Sequence, residues 1–519
     1  MINRRQFLKF TGVGAAGILA GGITSLGTAS RVNAGSNPVQ NFDPDLDIDL
    51  TATPADIPIL PGNPTGVWRY EAQLLKGDPT SLTPLERSYL GPIIRTHTGQ
   101  KVRIRFTNDI ADESIVHWHG LHVPAEMDGH PRFVIPPGET YIYEFEVRNR
   151  AGTYWYHPHP HGRTGPQVYG GLAGLFLVSD DEEEAVALPT GECDIPLVLQ
   201  DRAFDNDNQL IYLSGHPMEQ MTGFLGDWIM VNGQPDFILP VATRAYRLRL
   251  LNGSNSRVYK LAWQNGSPLT VIGTDGGLLE MPVQRRYVML GPGERLELWA
   301  DFSRYPVGSE STLVSLPFDA GAMAGGRMGG GMMGRMMGSA AALPNGAGFP
   351  VLRVRVNRSE NENLSLPQQL TSIDRYRIAD ALNPYDPKTF YLVPRHMAWT
   401  INGRTFQMEA VAGDEKVQIN SLEVWDFINE GGGMGMMGMM NMPHPIHLHG
   451  MQFQVLERQG VLHEGYVDEG WKDTVLLMPG ERVRLLMRFG DYPGLFLYHC
   501  HNLEHEDMGM MRNFLVQNT

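Results

Sequence analysis

The chain has 519 residues, of which 42% are hydrophobic and 19% charged, so a folded globular protein is expected and a disordered one is excluded. At roughly 150 residues per domain, this length predicts about three domains. The formal net charge of −15 argues against nucleic acid as a partner, and the two cysteines, Cys193 and Cys500, exclude a disulfide framework.

The first 34 residues have the features of an export signal. Arg4 and Arg5 precede a weakly apolar, glycine-rich run, and residues 32–34 offer a small-residue cleavage site. A membrane anchor is the alternative, but six glycines between residues 12 and 27 make a poor membrane span. We therefore predict export by the twin-arginine route to the periplasm or another extracytoplasmic space, without a stable membrane anchor.

A phrase built on Pro-Gly-Glu recurs three times along the chain. It reads PPGETYIYEFEV at 136–147, GPGERLELWADF at 291–302 and MPGERVRLLMRF at 478–489. Each copy follows an alternating segment that ends in Asn, at 99–108, 243–252 and 421–429. Period-two alternation predicts antiparallel strands, and helical periodicity is scarce. We therefore predict an all-β protein with three related β-sandwich domains in tandem, at 45–182, 190–356 and 370–519.

Four short blocks hold most of the histidines, and all four lie in the first and third repeats. They are His117-Trp-His119, His157-Pro-His159, His444-Pro-Ile-His447-Leu-His449, and His499-Cys500-His501 followed by His505. Because alternate residues of a strand share a face, each His-x-His offers two imidazoles on one side. Four such pairs exceed what one metal ion needs, so we predict a polynuclear metal site between the first and third domains.

In an extended strand, Cys500 points away from the face that its two histidine neighbours share. Together with His444, His505 and Met510 it forms the ligand set of a blue-copper electron-transfer centre: two imidazoles, one thiolate and a weak thioether. Zinc is the alternative metal. It has no redox chemistry, however, and a zinc protein would not need eight imidazoles and a separate thiolate site.

The segments HWHG, WYHPH, HPIHLHG and HCHNLEHEDMGM resemble the four copper-binding motifs of the multicopper oxidases, in particular the bacterial periplasmic cuprous oxidases and laccases. The resemblance covers nearly the whole chain and implies three Greek-key cupredoxin-like domains and four copper ions. By position it implies that the type 1 copper is held by His444, Cys500, His505 and Met510. It implies that the type 2 copper is held by His117 and His447, and the coupled type 3 pair by His119, His157, His159, His449, His499 and His501.

The resemblance also implies a reaction. Substrate electrons enter at the type 1 site and pass through Cys500 and its flanking histidines, and dioxygen is reduced to two waters at the trinuclear site. In that family, acidic residues at the positions of Asp128 and Glu506 supply protons, so both are catalytic candidates. We expect His161 to lie beside the site or at the surface rather than among the ligands. The expected partners are dioxygen and a small reducing substrate, and the expected oligomeric state is a monomer.

Two glycine-rich segments carry the excess of methionine, with six Met each at 321–338 and 431–442. Thioethers prefer cuprous to cupric copper, and the second segment ends two residues before His444. The resembling cuprous oxidases bind substrate copper with a Met-rich insertion, so Met442, Met440 and Met439 are candidate ligands of a substrate cuprous ion. Met440 stands where that family's site has an aspartate. A plain linker and a sacrificial oxidant sink are the alternative interpretations.

We therefore predict a copper-tolerance multicopper oxidase that acts on cuprous ion. A broad laccase acting on phenols and aromatic amines is the rival within the family, because the two differ only at the rim of the type 1 site. A non-catalytic copper-binding protein on the same fold ranks lower, since all ten histidines, the cysteine and the axial methionine are present.

Overall fold

The computed structural model of the protein describes residues 42–213, 217–321, 343–395, 397–430, 441–461 and 463–518. Strands account for 46% of the residues and helices for 8%, so the prediction of an all-β protein is confirmed. The described residues belong to one compact unit that spans residues 35–519. None of the helices in this part of the chain is both long enough and apolar enough to cross a membrane.

Nine strands form the first pair of sheets. They are β1 Leu46–Ile57, β2 Thr65–Lys76, β3 Leu82–Thr83, β4 Ile93–His97, β5 Lys101–Asn108, β6 Val116–His119, β7 Thr140–Glu146, β8 Gly152–Pro158 and β9 Gly174–Ser179. One sheet has the order β2-β1-β5-β7 and the other β3-β4-β9-β8-β6. In β5, Val102, Ile104 and Phe106 are buried while Arg103 and Arg105 between them are only partly so, as period-two alternation predicts.

Twelve strands form the second pair of sheets. They are β10 Asp194–Arg202, β11 Trp228–Val231, β12 Gln234–Pro235, β13 Ile238–Ala242, β14 Ala245–Asn252, β15 Tyr259–Trp263, β16 Leu269–Thr274, β17 Gly277–Arg285, β18 Val288–Leu290, β19 Arg295–Asp301, β20 Glu310–Ser315 and β21 Phe349–Arg358. The sheet orders are β12-β11-β10-β14-β19-β16-β17 and β13-β21-β20-β15-β18. The largest hydrophobic cluster of the protein lies between these two sheets.

Ten strands form the third pair. They are β22 Lys388–Arg395, β23 Ala398–Ile401, β24 Lys416–Gln418, β25 Leu422–Asn429, β26 His444–Leu448, β27 Phe453–Gln459, β28 Thr474–Leu477, β29 Arg482–Arg488, β30 Gly494–Cys500 and β31 Met511–Gln517. The sheet orders are β23-β22-β25-β29-β27 and β24-β31-β30-β26-β28. We propose that the three sheet pairs are the three predicted domains, with the limits stated above.

The helices of the described residues are short. The α-helices are α1 Thr164–Gly170, α2 Asp181–Glu184, α3 Pro217–Thr222 and α4 Leu503–Asp507. Single 3-10 turns lie at Pro79–Ser81, Pro131–Phe133, Gly191–Cys193, Ile378–Asp380 and Gly413–Glu415. Helix α4 follows shortly after β30 and is capped by Asn502, whose side chain accepts a hydrogen bond from the His505 main-chain N–H.

The recurring Pro-Gly-Glu phrase is a turn that closes the same pair of strands in every sandwich. The upstream segments and the phrases pair antiparallel as β5 with β7, β14 with β19 and β25 with β29. The turn glycines have φ of +85°, +83° and +86° at Gly138, Gly293 and Gly480. In the middle copy the Gly293 N–H donates to the Asn252 carbonyl at 2.9 Å, and the Asn252 N–H returns a bond to Glu294. A left-handed turn residue explains the invariant Gly of the phrase.

Candidate copper centre

Strand register brings the histidine blocks of the first and third sandwiches together. On β6 and β8, His117 is the cross-strand partner of His157. On β26 and β30, His447 is the partner of His499, and Ile446 is the partner of Cys500. All ten predicted histidine ligands and Cys500 are fully buried, with at most 1% of any side chain exposed.

The rings of His117 and His447 face each other with unprotonated nitrogen atoms. The His117 Nδ1 lies 2.6 Å from the main-chain oxygen of Asp128, and the His447 Nδ1 lies 2.9 Å from that of Asp473. A carbonyl oxygen only accepts, so both Nδ1 atoms carry the proton and both Nε2 atoms are lone pairs. These Nε2 atoms are 3.3 Å apart, a separation at which two acceptors repel unless a cation lies between them.

A second group joins His159, His449 and His499. The His499 Nε2 lies 3.1 Å from the His449 Nε2 and 3.3 Å from the His159 Nε2. The Nδ1 atoms of His449 and His499 face acceptors, the Asp128 carboxylate at 2.7 Å and the Cys500 carbonyl at 3.2 Å. Their Nε2 atoms are therefore also unprotonated and point at one another. The three ligand atoms lie within 4.8 Å of one another.

A third group consists of His119, His157 and His501. Their ring centroids are 5.0 to 5.6 Å apart. The His157 Nδ1 is 2.9 Å from the Pro158 carbonyl, which leaves its Nε2 as a lone pair. Buried nitrogens without a hydrogen-bond partner remain on all three rings: His157 Nε2, His119 Nδ1 and both ring nitrogens of His501. Orphaned buried polar atoms are rare, and a metal ion accounts for this set.

Protonation of the imidazoles does not account for these unpartnered nitrogens. Burial lowers the pKa well below the ordinary imidazole value of 6.5 at six cluster histidines, and the neighbouring imidazoles lower it further: His119, His157, His159, His447, His449 and His501. Neutral imidazole is also the form that binds copper. The eight-histidine cluster therefore fits several metal ions, as predicted.

Cys500 faces a separate, smaller group. Its Sγ lies 3.4 Å from the His444 Nδ1 and 3.7 Å from the His505 Nδ1. Bonds of about 2.0 to 2.3 Å from one metal ion would place ligand atoms about 3.7 Å apart in a trigonal plane. Burial raises the pKa of the Cys500 thiol, so a thiolate here needs a cation beside it. The geometry and chemistry fit a copper ion.

Met510 and Met442 lie in the same buried cluster as Cys500, with 0% and 5% of their surface exposed. The main-chain N–H of Cys500 donates to the Met510 carbonyl at 3.0 Å, and the Met510 N–H donates to the His505 carbonyl at 2.9 Å. These bonds hold the Met510 residue against both ligands. The other two methionines predicted to bind substrate copper, Met439 and Met440, lie outside the described residues.

The two predicted acidic residues are both buried at the edge of the histidine cluster. The Asp128 carboxylate contacts His449, and burial raises its pKa although the contact with His117 opposes the rise. The Glu506 carboxylate lies 3.1 Å from the His499 Nδ1 and 3.5 Å from the His159 Nε2. Burial alone would raise the pKa of Glu506, but these imidazoles together lower it to about 2.

Three histidines near the motifs have other roles. His161 is exposed and lies beside Phe406, at 4.8 Å between ring centroids. His122 bonds to the Gly450 carbonyl and to Asp491. His130 bonds to the side chain of Asn513.

The sequence analysis missed several residues that touch the ligands. Asp473 and Thr474 contact His119 and His447, and Arg295 of the middle sandwich contacts Asp473. The main-chain oxygen of Met221 accepts from the His505 Nε2 at 3.0 Å. The only signal for Asp473 was the polar Lys-Asp-Thr at the start of an apolar strand, which does not indicate a metal site.

Comparisons with known proteins agree with this geometry. Multicopper oxidase family models match residues 67–183 and 381–519. Multicopper oxidase mco of Staphylococcus aureus is 30% identical over 447 residues, which cover 86% of each chain. A laccase of Bacillus stratosphericus is 30% identical over 498 residues, covering 84% of this chain and 90% of the laccase. The crystal structure of the McoA multicopper oxidase from Aquifex aeolicus covers 92% of this chain and 97% of its own, with 34% identity and a TM-score of 0.76.

A model of the twin-arginine signal matches residues 1–21, so the predicted export from the cytoplasm is confirmed. The cofactors are the four copper ions of the family, one type 1, one type 2 and a type 3 pair, and the histidine clusters are consistent with them. The fold, the matched family models and the identity to the relatives lead to one conclusion: the chain belongs to the multicopper oxidase family.

Proposed function

We propose that this multicopper oxidase takes electrons from cuprous ion at a type 1 copper and uses them to reduce dioxygen to water at a trinuclear copper cluster. The observation that carries the proposal is the His499-Cys500-His501 segment. Its thiol faces His444 and His505, while its two imidazoles belong to the other two histidine groups. This three-residue segment, at the end of β30, therefore offers a short covalent path from the first centre to the second.

The three histidine groups suggest how the ligands are shared. We assign His444, Cys500, His505 and Met510 to type 1, and His117 and His447 to type 2. The type 3 ions are assigned to two triads, His119, His157 and His501, and His159, His449 and His499. Bound copper supplies reversible one-electron chemistry and the place where dioxygen is reduced.

Reduction of dioxygen to water consumes protons inside a buried cluster, so carboxylates must deliver them. We assign this role to Asp128 and Glu506, which contact different ligands. Asp128 touches the His449 ring, and Glu506 lies between His159 and His499. The Asp128 carboxylate also orients the His449 ring, because it accepts from the protonated Nδ1 and leaves Nε2 for the metal.

A small soft cation is favoured as the substrate because the type 1 ligands are closed to larger molecules. His444 and His505 have no exposed surface. The outer nitrogen of His505 is occupied by the Met221 carbonyl, which also accepts from the Trp399 Nε1 at 2.9 Å. Among the described residues, neither His444 nor His505 presents an exposed ring edge to a phenol.

The ends of the two Met-rich segments meet beside the same centre. A Cβ placed on Gly321 would lie 3.2 Å from the Asn441 Cβ and closer still to the Asn441 carbonyl oxygen. Gly321 is the first residue of the first segment, and Asn441 is the next-to-last residue of the second. Asn429 holds the Met442 carbonyl through a 2.8 Å hydrogen bond, two residues before His444. This placement supports thioether delivery of cuprous ion to the type 1 site.

The second candidate function is a broad laccase that oxidises phenols and aromatic amines. The name of the Bacillus stratosphericus relative favours it. The two functions make opposite predictions for the methionines near His444, since a phenol gains nothing from thioethers.

Dioxygen uptake by the copper-loaded enzyme separates these functions. Cuprous ion or a phenol is supplied as the electron donor, and the wild type is compared with a variant whose five methionines in 431–440 are all serine. The variant keeps the length of the segment. We expect cuprous oxidation to fall about tenfold or more while phenol turnover is unchanged. Equal cuprous rates in both proteins would favour the laccase, and a colourless protein after copper loading would favour a non-catalytic copper-binding protein.

A further inference from the structure

The middle sandwich supplies no predicted copper ligand, yet its Pro-Gly-Glu turn packs directly on the histidine cluster. A Cβ placed on Gly293 would lie 3.0 Å from two carbons of the His501 ring and 3.2 Å from the His119 Cε1. The turn therefore approaches the rings as closely as a glycine allows. Arg295, two residues later, begins β19 and is almost completely buried, with 1% of its surface exposed.

The Arg295 guanidinium forms a bidentate ion pair with the carboxylate of Asp473 in the third sandwich. Its Nη1 donates to the Asp473 Oδ1 at 2.6 Å, and its Nη2 donates to Oδ2. The remaining donors are satisfied by main-chain oxygens of Thr153, Gly293 and Asp275 at 2.8, 2.9 and 3.1 Å. A bidentate guanidinium–carboxylate pair of this kind fixes both the position and the orientation of the Asp473 carboxylate.

Asp473 in turn touches two histidines of the cluster. Its Oδ1 lies 3.1 Å from the His119 Nε2, and its main-chain oxygen lies 2.9 Å from the His447 Nδ1. The Thr474 hydroxyl donates to the same Oδ1 at 2.9 Å and lies 3.0 Å from the His119 Nε2. Both oxygens of the Asp473 carboxylate thus accept hydrogen bonds from Arg295, so Asp473 is an acceptor toward the His119 imidazole as well.

Because of this contact, the two ring nitrogens of His119 have the opposite roles from those of the neighbouring histidines. His117, His157, His447, His449 and His499 all bond through Nδ1 and present Nε2. His119 instead has its Nε2 among oxygen acceptors, while its buried Nδ1 has no partner. The Nε2 must carry the proton, and Nδ1 is the atom left for a metal ion.

We propose that Arg295 is a positioning residue of the trinuclear copper site. Through Asp473 it sets His119 to bind copper with Nδ1, and it places the main-chain oxygen that orients His447. The ligand-free middle sandwich thereby determines the geometry of a site built by the other two. The proposal rests on the assignment of His119 and His447 as copper ligands given above.

A buried network of charged residues from the middle and third sandwiches also holds the beginning of β19, where Arg295 lies. Asp275 accepts the Arg295 N–H at 2.7 Å and lies 3.0 Å from the Lys472 Nζ. Lys472 also contacts Glu294 of the turn, at 3.2 Å. Glu294 and Lys472, the chain neighbours of Arg295 and Asp473, are therefore also paired across the two sandwiches, which restricts the movement of the Arg295–Asp473 pair.

The test compares Arg295→Met, Arg295→Lys and Asp473→Asn with a matched control, Arg257→Met. Arg257 is likewise fully buried in the middle sandwich and pairs with Asp201 at 2.9 Å, but it bonds to none of the proposed ligands. Copper per chain is measured after dialysis against a chelator, together with the blue type 1 absorption and the paramagnetic resonance signal of type 2 copper.

We expect Arg295→Met and Asp473→Asn to retain the trinuclear copper about 10- to 100-fold less tightly, with an altered type 2 signal and an intact blue absorption. Arg295→Lys keeps the charge but cannot form the bidentate pair, so its copper retention should lie between that of these variants and that of the wild type. The control should lose stability without selective loss of copper.

Selective copper loss in the control as well, or full copper and an unchanged type 2 signal in the Arg295 and Asp473 variants, would overturn the positioning role. A wild type that binds only one copper per chain would instead overturn the ligand assignment on which the proposal rests. If Arg295→Met does not fold, Arg295→Lys and Asp473→Asn, which conserve charge or shape, still test the proposal.

Discussion

The Nε2 atoms of His117 and His447 face each other at 3.3 Å across the boundary between the first and third sandwiches. Both rings are locked in this orientation by main-chain carbonyls at their Nδ1 atoms. Two lone pairs held this close in a buried site are unfavourable without a cation, so folding the cluster prepares a strong copper site at a cost in stability of the copper-free protein.

Copper should therefore stabilise the fold. We expect the melting temperature to rise when copper is added to the copper-free protein, because a ligand at about 100 times its dissociation constant contributes about 2.7 kcal/mol. Differential scanning calorimetry at increasing copper concentrations measures the shift. A melting temperature independent of copper would contradict the fit of the histidine groups to metal ions.

Acid should destabilise the copper-free protein. Burial lowers the pKa of His505 to about 3 and that of His130 to about 4, whereas an unfolded chain has an imidazole pKa of about 6.5. Below about pH 6.5 the unfolded chain binds protons that the folded chain does not, so stability falls as pH falls toward 3.

The expected loss is about 1.4 kcal/mol per pH unit for each such group, which urea unfolding at about pH 7 and about pH 5 measures. His130→Gln, which lies outside the ligand set, should weaken this acid dependence. A urea midpoint that does not change between the two pH values would refute the prediction.

Gly120→Ala tests how tightly the residue after His119 is packed. A Cβ there would lie 2.8 Å from the Arg295 Nη2 and closer to the Asp473 carboxylate, at a φ of +87°. Gly138 has almost the same φ, +85°, but nothing within 4 Å of the added Cβ. Gly138→Ala should cost about 1 to 2 kcal/mol from backbone strain alone.

Gly120→Ala should cost more than this control and should also lower the copper content, since the added methyl group displaces the Asp473–Arg295 pair. Chemical denaturation and copper analysis of both variants give the comparison. Equal stability losses and equal copper contents would show that the contact has no influence on the site.

Cys500→Ser should abolish the blue absorption and substrate oxidation while leaving the histidine cluster able to bind copper. The hydroxyl lacks the soft thiolate that type 1 copper prefers, but the ring orientations of His499 and His501 do not depend on it. Absorption spectra and copper per chain test this, with about one fewer copper expected. Loss of all copper would mean that the two centres are not separable.

Asp128→Asn should slow the reduction of dioxygen more than the oxidation of substrate. The amide cannot donate protons in the same way, and it disturbs the bond to His449. We expect a fall of about 100-fold in turnover, the lower end for loss of a general acid. Asp491→Asn, a partly exposed acid bonded to His122, is the control and should leave turnover unchanged. Single-turnover kinetics separate the two half-reactions.

The ligands could be predicted from the sequence because metal chemistry restricts residue type and spacing together. Histidines two residues apart on a strand share a face, and Cys500 between two of them must face the opposite way. The Pro-Gly-Glu turns could be predicted for a similar reason, since a left-handed turn position is specific to glycine. These features depend on local geometry, which a short segment determines by itself.

The sequence by itself determined the fold class and the export signal and proposed the set of copper-binding side chains, because each depends on residues close together in the chain. Only the tertiary structure decided which nitrogen each ring presents and which residues enforce that choice. Asp473 is 354 positions from His119, and Arg295 is 178 positions from Asp473. No spacing rule links residues that meet only because three sandwiches pack around one cluster, so the contribution of the middle sandwich emerged from the folded chain alone.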